Sequence, residues 1–198
     1  MRFLHYDNPI MSGILKIINC MLLSVLWLIG CIPVITVGAS TCALYYTVEK
    51  NIKNDRGYVV SSFCNVYKEN LKQATAVSIV LLAVVALFLS DYWILEAWGN
   101  SGHVLGNVSV IFQIFIGLVL LYAIWIFAML GRFQNTVFKI LKNSFILMVR
   151  HFGSSMMIAF CLLFGGVVVW LVPSAICLMP AIVCWLVSVP VEHVFKKY

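Results

Sequence analysis

The side chains whose types and spacing come nearest to a chemical site are Asp91, Trp93, Glu96 and Trp98, with Tyr92 among them. Carboxylates accept hydrogen bonds from sugar hydroxyls, and indole faces stack on sugar rings, so this cluster describes an outer-face ligand contact. The same residues have a plainer use, because tryptophan and tyrosine gather at bilayer interfaces, where one edge stays wet and the rest stays apolar. Elsewhere the ingredients of catalysis are scattered. The four histidines, His5, His103, His151 and His193, stand far apart in the chain. There is no glycine-rich loop followed by lysine to cradle phosphate, no H-E-x-x-H pair and no G-x-S-x-G elbow. The seven cysteines form no CxxC pair and have no histidine at zinc-ligand spacing, so they read as small buried apolar residues. No catalytic residue, cofactor-binding residue or metal ligand is expected, and no enzyme.

The elements that would position these residues follow from composition. Of 198 residues, 63% are hydrophobic and 10% charged, whereas a soluble domain is about 45–50% apolar and about 25% charged. Most of the chain therefore belongs in lipid. Long unbroken apolar runs, not short alternating ones, predict an all-α polytopic transmembrane bundle in a single domain over residues 1–198. The N-terminal stretch lacks a small-residue cleavage pattern, so no removable signal peptide is expected. A helix rises about 1.5 Å per residue and the hydrocarbon core is about 30 Å thick. Clear segments fall at about 14–32, 73–90 and 108–130. The uncharged run from Phe152 to Val191 would measure about 60 Å as one helix, so it must fold back near Pro173 into segments at about 152–172 and 175–190. A further stretch, 34–48, would reach only about 22 Å.

Charge placement bears on that stretch. Lysine and arginine in short loops are retained on the cytoplasmic side. The stretches Lys50 to Lys72, Arg132 to Arg150 and the C-terminus hold most of the 13 cations, while Asp91 to Asn107 has none. Six segments, with 34–48 returning as a short second helix after Pro33, put every cation and both termini in the cytoplasm. Five segments are the alternative, with 34–48 re-entrant or tilted and covered by protein, as lipid-embedded irregular backbone requires. Two basic amphipathic helices are expected on the cytoplasmic face. One runs from Arg132 to Arg150, with Lys139, Lys142 and Asn143 opposite Val137, Leu141, Phe145 and Met148. The other runs from Tyr58 to Lys72, with Lys68 and Lys72 opposite Phe63, Tyr67 and Leu71. Either lies on anionic headgroups or docks another subunit through Lys68, Lys72, Arg132, Lys139, Lys142 and Arg150. Lys16 is the one ionisable group inside a clear segment, so proton relays and ion pathways are disfavoured. Gly165 and Gly166 suit close helix approach or a kink. The sequon Asn107 to Ser109 is short enough to arise by chance.

The stretch Pro33, Val34, Ile35, Thr36, Val37, Gly38, Ala39, followed by Ala43, Leu44, Tyr45 and Tyr46, resembles the P-x-x-T-x-G-A and A-L-Y-Y elements of the YesL-like family of bacterial membrane proteins, a domain of unknown function. Tyr67 to Ala74, then Arg132, Phe133, Lys142 and Asn143, extend the resemblance. In physical terms Pro33 ends the first segment, Thr36 can bond freed carbonyls, and Gly38 and Ala39 allow close packing. The resemblance implies a non-enzymatic accessory protein of a carbohydrate uptake or polysaccharide utilisation system in the cell membrane. Its partners would be the bilayer and other membrane subunits such as a sugar transporter or a sensor kinase, with no nucleic acid. The alternative is a substrate-handling membrane subunit of a small-solute or sugar transporter. A membrane-impermeant label checks the topology. A reactive group at residue 2 should be protected in intact cells under the six-segment arrangement, and labelling there would overturn it.

Overall fold

In the computed structural model, residues 9–54, 58–100, 109–133 and 136–196 are described. They are helical almost throughout, with no strand among them. Helix α1 runs Pro9–Cys31, a 3-10 turn follows over Val34–Thr36, and α2 is the short helix Val37–Thr47, continued by a π-helical turn Val48–Lys53. Then come α3 (Val59–Asn100), α4 (Ser109–Arg132), α5 (Val137–Arg150), α6 (Phe152–Leu171), a 3-10 turn at Pro173–Cys177 and α7 (Met179–Phe195). Four of these helices are long and apolar enough to cross a membrane, within Gly13–Cys31, Val59–Ala97, Ile111–Arg132 and Phe152–Leu171. The chain is a multi-pass helical membrane protein. Its long helices turn apolar side chains such as Ile29, Val80, Ile114 and Phe160 outward, as lipid demands and water would forbid.

The short stretch after Pro33 becomes the centre of the bundle. Helix α2 has 11 residues, and it packs against α1, α3, α4 and α7. Gly38, Ala39, Ser40, Cys42, Ala43, Leu44, Tyr45 and Thr47 are all buried. Small residues make this closeness feasible. A Cβ on Gly38 would stand 2.0 Å from Ser78 Oγ and 2.5 Å from the Phe127 ring, and one on Gly30 would stand 2.2 Å from Ser40 Oγ. A Cβ on Gly131 of α4 would stand 3.1 Å from the Cys42 carbonyl oxygen, a milder crowding. At the preceding turn the Thr36 hydroxyl lies 2.9 Å from both the Gly30 and Pro33 carbonyl oxygens, the role the sequence suggested for it. The Trp27 indole N–H donates to Thr41 Oγ1 at 3.3 Å, and Thr41 donates to the Val37 carbonyl. Thr36, Thr41 and Trp27 thus find partners inside protein, as a backbone break at membrane depth requires.

Two expectations change. Residues 59–72 of the basic piece and residues 91–100 of the loop expected from Asp91 to Asn107 both belong to α3, which winds without interruption for 42 residues, about 63 Å at 1.5 Å per residue; residues 101–107 lie outside the described residues. No proline or glycine occurs between Val59 and Trp98 to stop it. The amphipathic helix expected from Arg132 to Arg150 is shorter, since Arg132 ends α4 and α5 begins at Val137, and its apolar side divides. Ile140, Ser144 and Leu147 are buried, while Phe138 and Phe145 face outward. Position Asn107 of the sequon lies outside the described residues.

Helix α7 is tied to α1 at its start. The Ser24 hydroxyl accepts from the Ala181 N–H at 3.1 Å and donates to the Leu178 carbonyl at 3.3 Å, closing an otherwise orphaned helix N-terminus. Against α6, a Cβ on Gly165 would meet Val183 Cγ2 at 2.4 Å, while one on Gly166 would meet open space. The glycine contacts make a direct prediction. Gly38→Ala should overpack the α2, α3 and α4 junction and destabilise the detergent-solubilised protein by about 1–3 kcal/mol. Gly153→Ala, where a Cβ meets nothing within 4 Å, should be neutral or mildly stabilising, and thermal melts of the two variants compare them.

Candidate functional site

Three helix C-termini converge at one end of the bundle. They belong to α2 with its π-helical turn, to α4 and to α7. Each places the negative end of its dipole there, so a cation among them is favoured. Glu192, in the last turns of α7, adds a full negative charge and is only 6% exposed. Its compensation comes from the other two helices. The Tyr45 hydroxyl of α2 donates to Glu192 Oε1 at 2.9 Å, and Arg132 of α4 pairs with Glu192 Oε2 through Nη1. The guanidinium also lies 5.7 Å from the Phe195 ring centroid and 6.0 Å from that of Phe133, within cation–π range. Phe195 in turn meets Phe133 and Trp125 edge to face at 5.5 and 6.2 Å. The Trp125 N–H donates to Ser155 Oγ at 3.2 Å, which donates to the Met148 carbonyl. The network therefore joins α2, α4 and α7 to the α5–α6 junction.

Toward the opposite end, Tyr45 borders a cavity of about 400 Å³ between α2, α4, α6 and α7. Its walls include Leu44, Phe127, Leu162, Gly166 and Val183. Its few polar groups are already engaged, Thr41 with Trp27 and Val37, and Tyr45 with Glu192. The cavity can hold an apolar group but has little to offer the hydroxyls of a sugar.

A second hollow, of about 290 Å³, opens beside the Arg132–Glu192 pair between α4, α5 and α7. Met129, Phe133, Leu147 and Phe195 form its apolar floor, and Asn143 and Arg150 stand at its edge.

The residues expected to carry function are distributed as follows. Arg132 is engaged with Glu192, although its side chain keeps 38% of its exposure. Lys139 and Lys142 are exposed on α5, Lys68 and Lys72 on α3, and α4 packs against both helices. Asp91 and Trp93 lie two positions apart on a helix, hence on opposite sides of it. Trp93 is exposed, Glu96 is half-buried, and the Trp98 side chain lies outside the described residues. The helix thus turns Asp91 away from Trp93, with Glu96 three positions after Trp93 on the same side as it. Of the motif residues, Gly38, Ala39, Ala43, Leu44 and Tyr45 are buried, and Tyr46 accepts from Lys50 Nζ at 3.0 Å. Glu192 is the residue of this cluster that sequence reading passed over, because it stands just beyond the apolar run ending at Val191. The signal was available, since a carboxylate at the end of a buried helix needs a cation, and Arg132 ends another.

Taken together, these features define a polytopic helical membrane protein with a buried polar latch at one end. Residues 20–92 match the family described as "Protein of unknown function, DUF624". The match runs from the middle of α1 through the P-x-x-T-x-G-A bend and α2 into α3, so it contains the motif region and Tyr67 to Ala74. Arg132, Phe133, Lys142, Asn143 and Glu192 lie outside it. No curated protein matches the chain, and no solved structure does.

The latch is testable by a double-mutant cycle on Arg132→Ala and Glu192→Ala. Each single change should destabilise, and the pair should couple by about 0.5–3 kcal/mol, at the lower end if solvent reaching Arg132 screens it. Tyr45→Phe should cost about 0.5–1.5 kcal/mol by removing one hydrogen bond. Additive losses in denaturation monitored by circular dichroism would show that the three do not act as one unit.

Proposed function

We propose that this chain is a non-enzymatic accessory membrane protein of a carbohydrate uptake or polysaccharide utilisation system, acting through contacts with other membrane subunits. The observation that carries the reading is the hollow beside the latch. Its apolar floor and its edge of Asn143 and Arg150 suit an apolar side chain flanked by acidic residues on a partner. Exposed Lys139 and Lys142 extend the cationic surface along α5, and complementary charge at such a rim guides association. The sugar-system assignment draws on the likeness of the Pro33 to Tyr46 stretch to the YesL-like family, whose members look like companions of sugar transporters. In this reading the end that carries the latch faces the cytoplasm, with both chain termini. Helix α2 counts as a sixth, shortened segment, since its C-terminus meets those of α4 and α7. A substrate-handling role has less behind it, because the cavity beside Tyr45 presents apolar walls and engaged polar groups.

Purification of the tagged protein in mild detergent, followed by mass spectrometry, tests the proposal. Sugar-transporter permease subunits or their sensor kinase should be recovered with it. Filling the hollow with Asn143→Trp, or reversing charge with Lys139→Glu and Lys142→Glu, should lower that recovery about tenfold, equivalent to ~1.4 kcal/mol of affinity. Repeated recovery of the protein alone, or variants that bind as well as the parent, would count against it.

A further inference from the structure

Helix α6 packs closely on α7 and only sparingly on α4. The gap on its α4 side is a groove of about 630 Å³, with Ile114, Gly117 and Leu118 of α4 facing Met156, Leu163 and Trp170 of α6. All of its walls fall within Ile111–Arg132 and Phe152–Leu171, two of the stretches long and apolar enough to cross a membrane, so the groove lies at membrane depth. Ile114, Leu163 and Trp170 are exposed along it, and lipid is what meets them there. Leu162 and Gly166 belong both to this groove and to the cavity of about 400 Å³ beside Tyr45. At that shared turn of α6 Leu162 is the one side chain on the boundary. Gly166 adds none, and even a Cβ there would meet nothing within 4 Å.

An apolar space of this size inside a bundle calls for an occupant. Folded interiors keep few voids larger than a water molecule, and water enters only where several polar groups receive it. Here Trp27, Thr41 and Tyr45 already bond within the protein, which leaves an apolar molecule drawn from the bilayer. Among the described residues no lysine, arginine or histidine lines either hollow, so nothing would answer the carboxylate of a free fatty acid. A phospholipid keeps its charges in the headgroup layer and offers a bare alkyl chain. We propose that groove and cavity form a lateral site for one acyl chain of a membrane phospholipid, which enters past Trp170 and turns inward at Gly166. The lengths agree. Trp170 to Gly166 is about 6 Å of helix, and one leaflet is about 15 Å deep, half of the hydrocarbon core, so about 9 Å of chain is left for the cavity. The site shares no residue with the hollow that the docking role uses.

The test places the full-length protein in phosphatidylcholine vesicles containing a phosphatidylcholine with a diazirine at the end of one acyl chain. After illumination, mass spectrometry should find adducts on Leu44 and Phe127, which are buried and border the cavity, as well as on outward-facing Ile29 and Val80. Gly166→Phe should lower the adducts on Leu44 and Phe127 about tenfold, because overpacking carries a penalty of that order, and should leave those on Ile29 and Val80 unchanged. Adducts confined to outward-facing residues in the parent protein overturn the proposal, whether or not the variant folds. A folded Gly166→Phe that keeps the buried adducts overturns it as well. So does equal labelling of Leu44 and Phe127 by a diazirine fatty acid at the same concentration, since the site would then belong to free fatty acids.

Discussion

A carboxylate drawn out of water at the end of an apolar helix is the constraint around which the rest of this bundle is arranged. Glu192 alone would impose a desolvation cost of several kcal/mol, and three helix dipoles ending nearby raise it further. The remedy is positional, because Tyr45 must arrive from α2 and Arg132 from α4, each at its helix's last turns. That in turn fixes the direction of α2. A short helix that failed to return the chain to this end would leave the tyrosine at the wrong depth. The stacking of the guanidinium on Phe195 and Phe133 then seats the pair without surrounding it with water.

Helix α2 can occupy that position only because its neighbours give way to it. Lipid supplies no hydrophobic drive between helices, so attraction comes from packing and from hydrogen bonds made at close range. Gly30, Gly38 and Gly131 remove the side chains that would stand between α2 and helices α1, α3 and α4. The hydroxyls of Thr36 and Thr41 take up the polar groups at the bend. The stretch that falls short of a membrane crossing is therefore also the most protein-covered part of the chain.

Much of this was legible in the sequence. The all-α class, the long apolar segments, the breaks at Pro33 and Pro173 and the roles of Thr36 and Gly38 follow from composition, proline chemistry and residue size. What escaped depended on relations between distant positions. The continuity of α3 was hidden because a change from polar to apolar sequence looks like a boundary, although the backbone has no reason to break there. The separation of Asp91 from Trp93 follows from that same continuity, since winding a loop into a helix turns residues two positions apart to opposite sides. The partners of Glu192 were invisible because Tyr45 and Arg132 lie 147 and 60 positions away, and periodicity speaks only for nearby residues.

The uninterrupted winding of α3 has a mechanical side. At roughly twice the thickness of the hydrocarbon core, the helix must carry part of its length outside the apolar slab, and lacking any proline or glycine before Gly99 it has no built-in hinge. Phe63 and Val66 near one end, and Ala74, Val77 and Ser78 further along, are gripped by the core, while Leu87 and Trp93 near the other end are not. Such a rod holds its position as one piece: the stretch covered by the bundle sets where its outer turns stand, and Phe88 against Phe112 and Phe115 of α4 steadies it again further out.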